Sequence, residues 1–342
     1  MLATRRFGFR RVFQFAVITA VFPMIWAAIV FTVYAGLELN WLQVPFQPLS
    51  VMGIAVAFYA GFKNNSAYDR FWEGRKIWGG VVNESRTWAS AVLNYVRPGD
   101  NGDEAVELRR VLVYRHMAWI NALRLQLRST SRFFHKPARP TKRRLENHAE
   151  HMRNNWDKEI TPFLSEEEFA ELTPMANTAT HLVHRQGQDL ANELATKNID
   201  LFHQIAMMEI LRELYALQGK AERIKKTPLP RQYAEYSRVF MRAFILAVPF
   251  GLLNVFQDQL PAAWPAWDQL PWVFSYLLSA GGIGWVFLTM EGVGDASEDP
   301  FERSMGDVPM NALCVVIERD LRQMLGETDI PANEEPIGGI LY

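Results

Sequence analysis

Val51–Trp78, VMGIAVAFYAGFKNNSAYDRFWEGRKIW, joins an apolar, small-residue-rich half to a charged half with no proline between them. One continuous helix is expected there, its first half suited to lipid or a channel lumen and its second half to water. Ile54, Phe58 and Phe62 recur at i, i+4 and i+8, and at 3.6 residues per turn they form a stripe along one face. Gly53, Ala55, Ala57, Ala60 and Gly61 take the other faces. Small residues let helix backbones approach closely in a membrane, so several copies of this helix could crowd around an axis with the bulky stripe pointing inward as a hydrophobic constriction. Ordinary core packing produces the same spacing, and periodicity alone leaves both readings open.

Outward from this helix, a long polar middle hides how apolar the rest of the chain is. The mean hydropathy of -0.08 over 342 residues resembles that of a soluble protein. Yet four windows, at about 13–36, 46–63, 239–257 and 272–290, each come close to the ~20 residues that cross ~30 Å of hydrocarbon as a helix. The first contains Pro23 and no small-x-small cleavage site, so it is expected to stay as a kinked anchor. Pro45 and Pro48 mark a short return into the second. The fourth carries Ser279, Ala280, Gly281, Gly282 and Gly284, again suited to close helix packing.

The net charge of -1 says little about partners, but its distribution sets the topology. Arg5, Arg6, Arg10 and Arg11 precede the first span, residues 63–238 hold 28 of the 36 basic residues, and Arg303, Arg319 and Arg322 follow the last span. The connections from Glu38 to Pro45 and from Gln257 to Pro271 hold none. Basic residues near span ends stay on the cytoplasmic side. The fold class expected is therefore an all-α membrane protein: a basic cytoplasmic arm at 1–12, transmembrane helices one and two at 13–63, a helical cytoplasmic region at 64–238, helices three and four at 239–290, and a cytoplasmic C-terminal segment at 291–342. Both termini face the cytoplasm, and the membrane is the cell's inner (plasma) membrane. The arm either meets anionic headgroups or serves only as a topology signal. Trp41, Trp264, Trp267 and Trp272 cluster at the outer edges, where amphipathic rings favour the interface.

The middle reads as helix at 103–130, 165–172, 176–196 and 199–224, with the third window opening at Thr173-Pro174 and the long second helix ending in the turn Arg97–Gly102. Residues 131–144, SRFFHKPARPTKRR, are strongly basic, but no aromatic or Gly-rich module accompanies them. They read as a solvated turn, and no nucleic-acid partner is expected. His148 with His151 and His181 with His184 have the i, i+3 spacing of helix-borne metal ligands. No Glu-x-x-His, HExxH or Gly-x-Ser-x-Gly pattern supports a metal site or a catalytic residue, so neither is expected and the chain does not read as an enzyme. The single cysteine, Cys314, rules out an internal disulfide framework. Lys63, Asn64 and Asn65, just past the apolar stripe, and Arg238 and Arg242, one turn apart at the start of the third span, are candidates for a pore mouth or vestibule. The two arginines either snorkel to headgroups or draw anions inward.

The blocks GIAVAFYAGFKNNSAYDRFWEGRKIWG, ERIKKTPLP, VPFGL, EDPFE and DVPMNALCVVIERDL stand in that order from residue 53 to residue 321. Together they resemble the bacterial branch of the bestrophin family. The resemblance implies a homopentameric channel with four spans per subunit, in contact with membrane lipids, and one pore on the fivefold axis. It implies a neck of three hydrophobic rings ending at the aromatic of Gly61-Phe62, which places the rings on Ile54, Phe58 and Phe62. It also implies a cytosolic aperture shortly after Asp200, matched by Phe202. Chloride and similar anions are the expected cargo; a monovalent cation (sodium) channel of the same architecture and a non-conducting membrane scaffold or regulator are the alternatives. Animal members bind calcium in an acidic cluster after a Pro-Phe pair, whereas Pro300-Phe301 here is followed by Glu302 and then Arg303. A cation at that position argues against calcium gating, and no cofactor is expected. Asp295, Glu298 and Asp299 are expected to cap helices or to pair with basic groups across a subunit interface, and the tail 326–342 to be weakly ordered or to wrap a neighbour.

Overall fold

The computed structural model describes residues 9–96, 102–129, 152–260, 269–302, 306–337 and 339–342. The basic stretch at 1–8, the turn at 97–101, the basic loop at 131–144, His148 and His151, Trp264 and Trp267, and Arg303 lie outside the described residues. Among the described residues the chain is helical, without a strand. The described residues divide into two units: those from Phe9 to Asp69 with Pro228–Glu298, and Arg70–Thr227 with Asp299–Tyr342.

The first unit holds α1 (Phe9–Leu37), the opening of α2 (Phe46–Tyr95), α8 (Arg231–Val255) and α9 (Leu270–Ser297). Each of these helices contains a segment long and apolar enough to cross a membrane. Their packing rests on small residues and on the few polar atoms available. Gly281 and Gly284 of α9 lie against Met24 and Pro23 of α1, so close that a Cβ at either position would collide with them. The Tyr276 hydroxyl donates toward the carbonyls of Pro249 at 3.2 Å and Ala27 at 3.4 Å. It thereby reaches α8 and α1, while Pro249 itself, lacking an N–H, leaves the Ile245 carbonyl one turn earlier in α8 without its usual intrahelical donor. Trp26 Nε1 donates to Leu246 O at 2.9 Å, tying α1 to α8. Trp41 and Trp272 stand exposed.

The second unit is built on the rest of α2, with α3 (Gly102–Ser129), α4 (Trp156–Ile160), α5 (Glu166–Leu172), α6 (Thr178–Ala195), α7 (Leu201–Lys226) and α10 (Met310–Met324). Trp78 and Trp88 of α2, Trp119 and Leu123 of α3, Leu214 of α7 and Ile317 of α10 share one buried core. Several polar groups inside it are paired. Trp119 Nε1 donates to Gln218 Oε1 at 3.0 Å, and Gln218 Nε2 donates to Thr180 Oγ1 at 2.8 Å. The fully buried Arg124 donates to Arg153 O, Asn311 Oδ1 and Glu159 Oε2, each at 2.7 Å.

Side-chain caps fix where these helices begin. Ser165 accepts from Glu168 N at 3.2 Å, and Asp200 from His203 N at 3.0 Å. Thr173-Pro174 does not open α6, as the sequence reading had it: Thr173 caps the C-terminus of α5. Asn177 takes over because it accepts from Thr180 N at 3.1 Å while its own amide donates to Glu222 of α7 at 2.9 Å. At its far end, α10 closes on Gly326 with φ 80°, the left-handed conformation that glycine adopts at helix C-termini. The segment that follows packs on its own chain: Arg319 donates to Pro331 O, Ile340 and Tyr342 are buried with Met152, and Ala312 N donates to Tyr342 O at 2.9 Å.

Candidate functional site

In α2 two stripes divide the apolar half between them. Leu49, Gly53, Val56, Ala60, Lys63 and Ala67 are buried, spaced alternately by four and three residues, which is the contact seam of a packed helix. A Cβ at Gly53 would collide with the Phe244 ring of α8, so this seam needs a glycine there. Ile54, Phe58 and Phe62 are 71%, 69% and 59% exposed. At about 100° per residue the two stripes lie about 180° apart. Phe58 and Phe62 touch edge to face, ring centroids 4.6 Å apart. Of the small residues noted in sequence, Gly53 and Ala60 pack in the seam, whereas Ala55 and Gly61 are exposed with the stripe.

The polar candidates divide as well. Lys63 turns into the bundle: its side chain is 1% exposed and Nζ lies 2.5 Å from Asp295 Oδ1 of α9. Asn64 follows it inward, its Oδ1 seated where a Cβ on Gly294 would be. Asn65 and Arg242 are exposed. Arg238 pairs with Asp295 at 3.4 Å, with Glu291 at 3.4 Å and with Glu235 at 3.0 Å. Asp295 therefore pairs within its own chain. In the second unit Phe202, near the start of α7, is 81% exposed. Beside it the His203 ring lies flat on Tyr95, centroids 4.3 Å apart, with Nδ1 2.7 Å from an Asp200 carboxylate oxygen. Among the described residues no group of three His, Cys, Asp or Glu is placed to hold a metal ion.

The family described as Bacterial/Fungal Bestrophin protein matches residues 6–323 of this sequence. The chain belongs to the bestrophin family. Its curated relatives include a voltage-dependent anion channel-forming protein of Synechocystis sp., 24% identical over 91% of this chain and 89% of the relative. Another protein of that description, from Mesorhizobium japonicum, is 25% identical over 89% of this chain and 82% of its own length. The crystal structure of a bacterial bestrophin homologue from Klebsiella pneumoniae shares the fold, with a TM-score of 0.74 at 22% identity, covering 91% of this chain and 98% of that one.

In this bestrophin the blocks that carry the family pattern meet one another. Arg70 of α2 donates to Ile224 O at 2.8 Å and Thr227 O at 2.6 Å, satisfying carbonyls at the C-terminus of α7, and Asp299 lies 3.8 Å from the same guanidinium. Gly74 admits Pro300 and Phe301 against α2. Glu302, the first acid after the Pro-Phe pair, forms an almost wholly buried ion pair with Lys225, so an ammonium already neutralises that carboxylate. Sequence reasoning had no signal for Lys63–Asp295 or Lys225–Glu302, whose partners stand far apart in the chain and share no spacing rule. The one clue was a lysine at a seam position of α2.

Proposed function

We propose that this bestrophin is a pentameric anion channel of the inner (plasma) membrane, conducting chloride and related monovalent anions through one axial pore. In this reading residues 13–63 and 239–290 span the membrane, while 1–12, 64–238 and 291–342 are cytoplasmic. Ile54, Phe58 and Phe62 line the neck, and Phe202 narrows the cytosolic aperture. Lys63 and Asn64 brace the pore mouth from behind, and Asn65, Arg238 and Arg242 stand near its vestibule. The observation that carries the reading is the exposed Ile54–Phe58–Phe62 stripe, which lies opposite a fully packed seam of the same helix. The anion-channel names of the relatives support the cargo.

The mechanism follows from the side chains. A narrow apolar ring gates by dewetting, because an ion must shed water with no polar group to replace it. The electropositive edges of aromatic rings at positions 58 and 62 ease an anion through such a ring, whereas their faces would favour a cation. This is transport, with no bond made or broken.

The test is the reversal potential of purified protein in a planar bilayer under an asymmetric NaCl gradient, with Ile54→Ala/Phe58→Ala/Phe62→Ala beside the wild type. The expected result is a reversal potential of the sign set by chloride, with current several-fold larger in the triple variant. A potential of the sodium sign would replace the cargo. Absent current from an assembled oligomer, or unchanged current in the triple variant, would move the constriction elsewhere or make the protein a scaffold.

A further inference from the structure

Lys63 is the one charged member of the packed seam of α2, between Ala60 and Ala67. Burying an ammonium there is costly unless a carboxylate meets it, and Asp295 of α9 does so at 2.5 Å. The other oxygen of that carboxylate lies 3.4 Å from Arg238 of α8, whose guanidinium also reaches Glu291 of α9. Three helices thus converge on Asp295. One residue further, the missing side chain of Gly294 lets Asn64 seat against α9, so α2 is gripped at two consecutive positions. Those positions immediately follow Phe62, last of the exposed stripe. Neighbouring residues of a helix are fixed about 100° apart, and a rotation of roughly 20° swings a side chain standing about 5 Å from the axis by about 2 Å. In a constriction only a few ångströms wide, such a swing changes the bore.

We propose that Lys63 is a positioning residue: held by Asp295, it sets the azimuth of α2 beneath Phe62 and thereby the bore and ion preference of the neck. The inference rests on the pore reading above. Phe62 touches the ion path; Lys63 acts through Phe62 and never meets the ion. The shared carboxylate makes α8 part of the same brace, because Arg238 competes for Asp295 whenever Lys63 lets go.

The experiment compares wild type, Lys63→Met, Asp295→Asn, the pair together, and Lys63→Arg in planar bilayers, with oligomer size checked for each. The second readout is the rate at which a membrane-impermeant methanethiosulfonate modifies Phe62→Cys, with and without Lys63→Met; the native Cys314 is buried. Loss of the brace is expected to change unitary conductance by roughly threefold or more, to alter the anion-to-cation permeability ratio, and to change the modification rate at position 62. Lys63→Arg, which keeps the charge, is expected to restore wild-type values. A purely structural pair would lower the yield of oligomer and leave unitary conductance and modification rate at their wild-type values, overturning the proposal. If the single variants do not assemble, Lys63→Met/Asp295→Asn, which leaves neither charge orphaned, decides by the same measures; failure of that variant to assemble also overturns it. Wild-type protein that passes no current defeats the pore reading itself, an outcome distinct from a conducting wild type with indifferent variants.

Discussion

His116 shows how far one buried side chain can set the pH response. Its imidazole is fully buried, with Nε2 2.8 Å from Ser85 Oγ, and the Trp119 ring lies 5.0 Å away. Ser85 spends its own proton on Val81 O at 2.6 Å, so Nε2–H of a neutral imidazole is the donor in the pair. Burial pushes the pKa down to about 3 from an ordinary 6.5. Between those values the unfolded chain binds a proton that the folded chain refuses. Stability is therefore complete above pH 6.5 and falls as pH drops through the window, by about 2 kcal/mol by pH 5. His116→Phe is expected to remove this component. Thermal melts of detergent-solubilised protein at pH 7 and pH 5 should show a smaller acid loss in the variant, and equal losses would mean that the imidazole is protonated in the fold. The sequence displayed this histidine as one of seven, with nothing to mark it as buried. Likewise Lys63 and Asn64 were legible as residues beside the stripe, but their turn away from it depends on Asp295 and Gly294, more than 200 positions on.

At the scale of elements, helix packing was legible where it obeyed a period and illegible where it depended on a partner. The Ile54–Phe58–Phe62 stripe of α2 follows directly from 3.6 residues per turn, as do α3, α5, α6 and α7, whereas the packed seam was not legible: Ala55 and Gly61, grouped with the opposite faces, are exposed, and Lys63 is buried. The short α4 carries too little periodicity to read, and the start of α6 moved to Asn177 because Glu222 holds that cap. Glycines make the point sharpest. Gly282 and Gly284 of α9 look equivalent in sequence, yet nothing approaches a Cβ at the former and the rigid Pro23 ring of α1 blocks one at the latter. Gly284→Ala should therefore force α1 and α9 apart and cost about 1–3 kcal/mol, whereas Gly282→Ala should change stability by less than about 1 kcal/mol. Thermal unfolding of both variants in detergent is the check, and equal effects would contradict the close approach at Pro23.

At the scale of the whole molecule, the unexplained surface is the apolar face of α7. Leu201, Ile205 and Met208, spaced for one helix face, are exposed beside Phe202, and α7 is not among the helices that qualify as spans. They are not buried in the core, and contiguous exposed apolar surface of this kind is what a protein–protein contact uses. A single sequence carries no period or motif for such a contact, because its other half lies on another surface. The pentamer proposed above supplies that surface, since a ring of subunits uses one patch and its complement on every chain. Light scattering of protein in detergent, corrected for bound detergent, is expected to give five chains of 39.3 kDa. Leu201→Glu/Ile205→Glu buries two carboxylates in that contact if α7 lies in it, and unpaired buried charges are costly enough to shift the protein to smaller species. A variant that keeps the wild-type mass would place α7 outside the subunit contact and leave its apolar face to line the conduction path with Phe202.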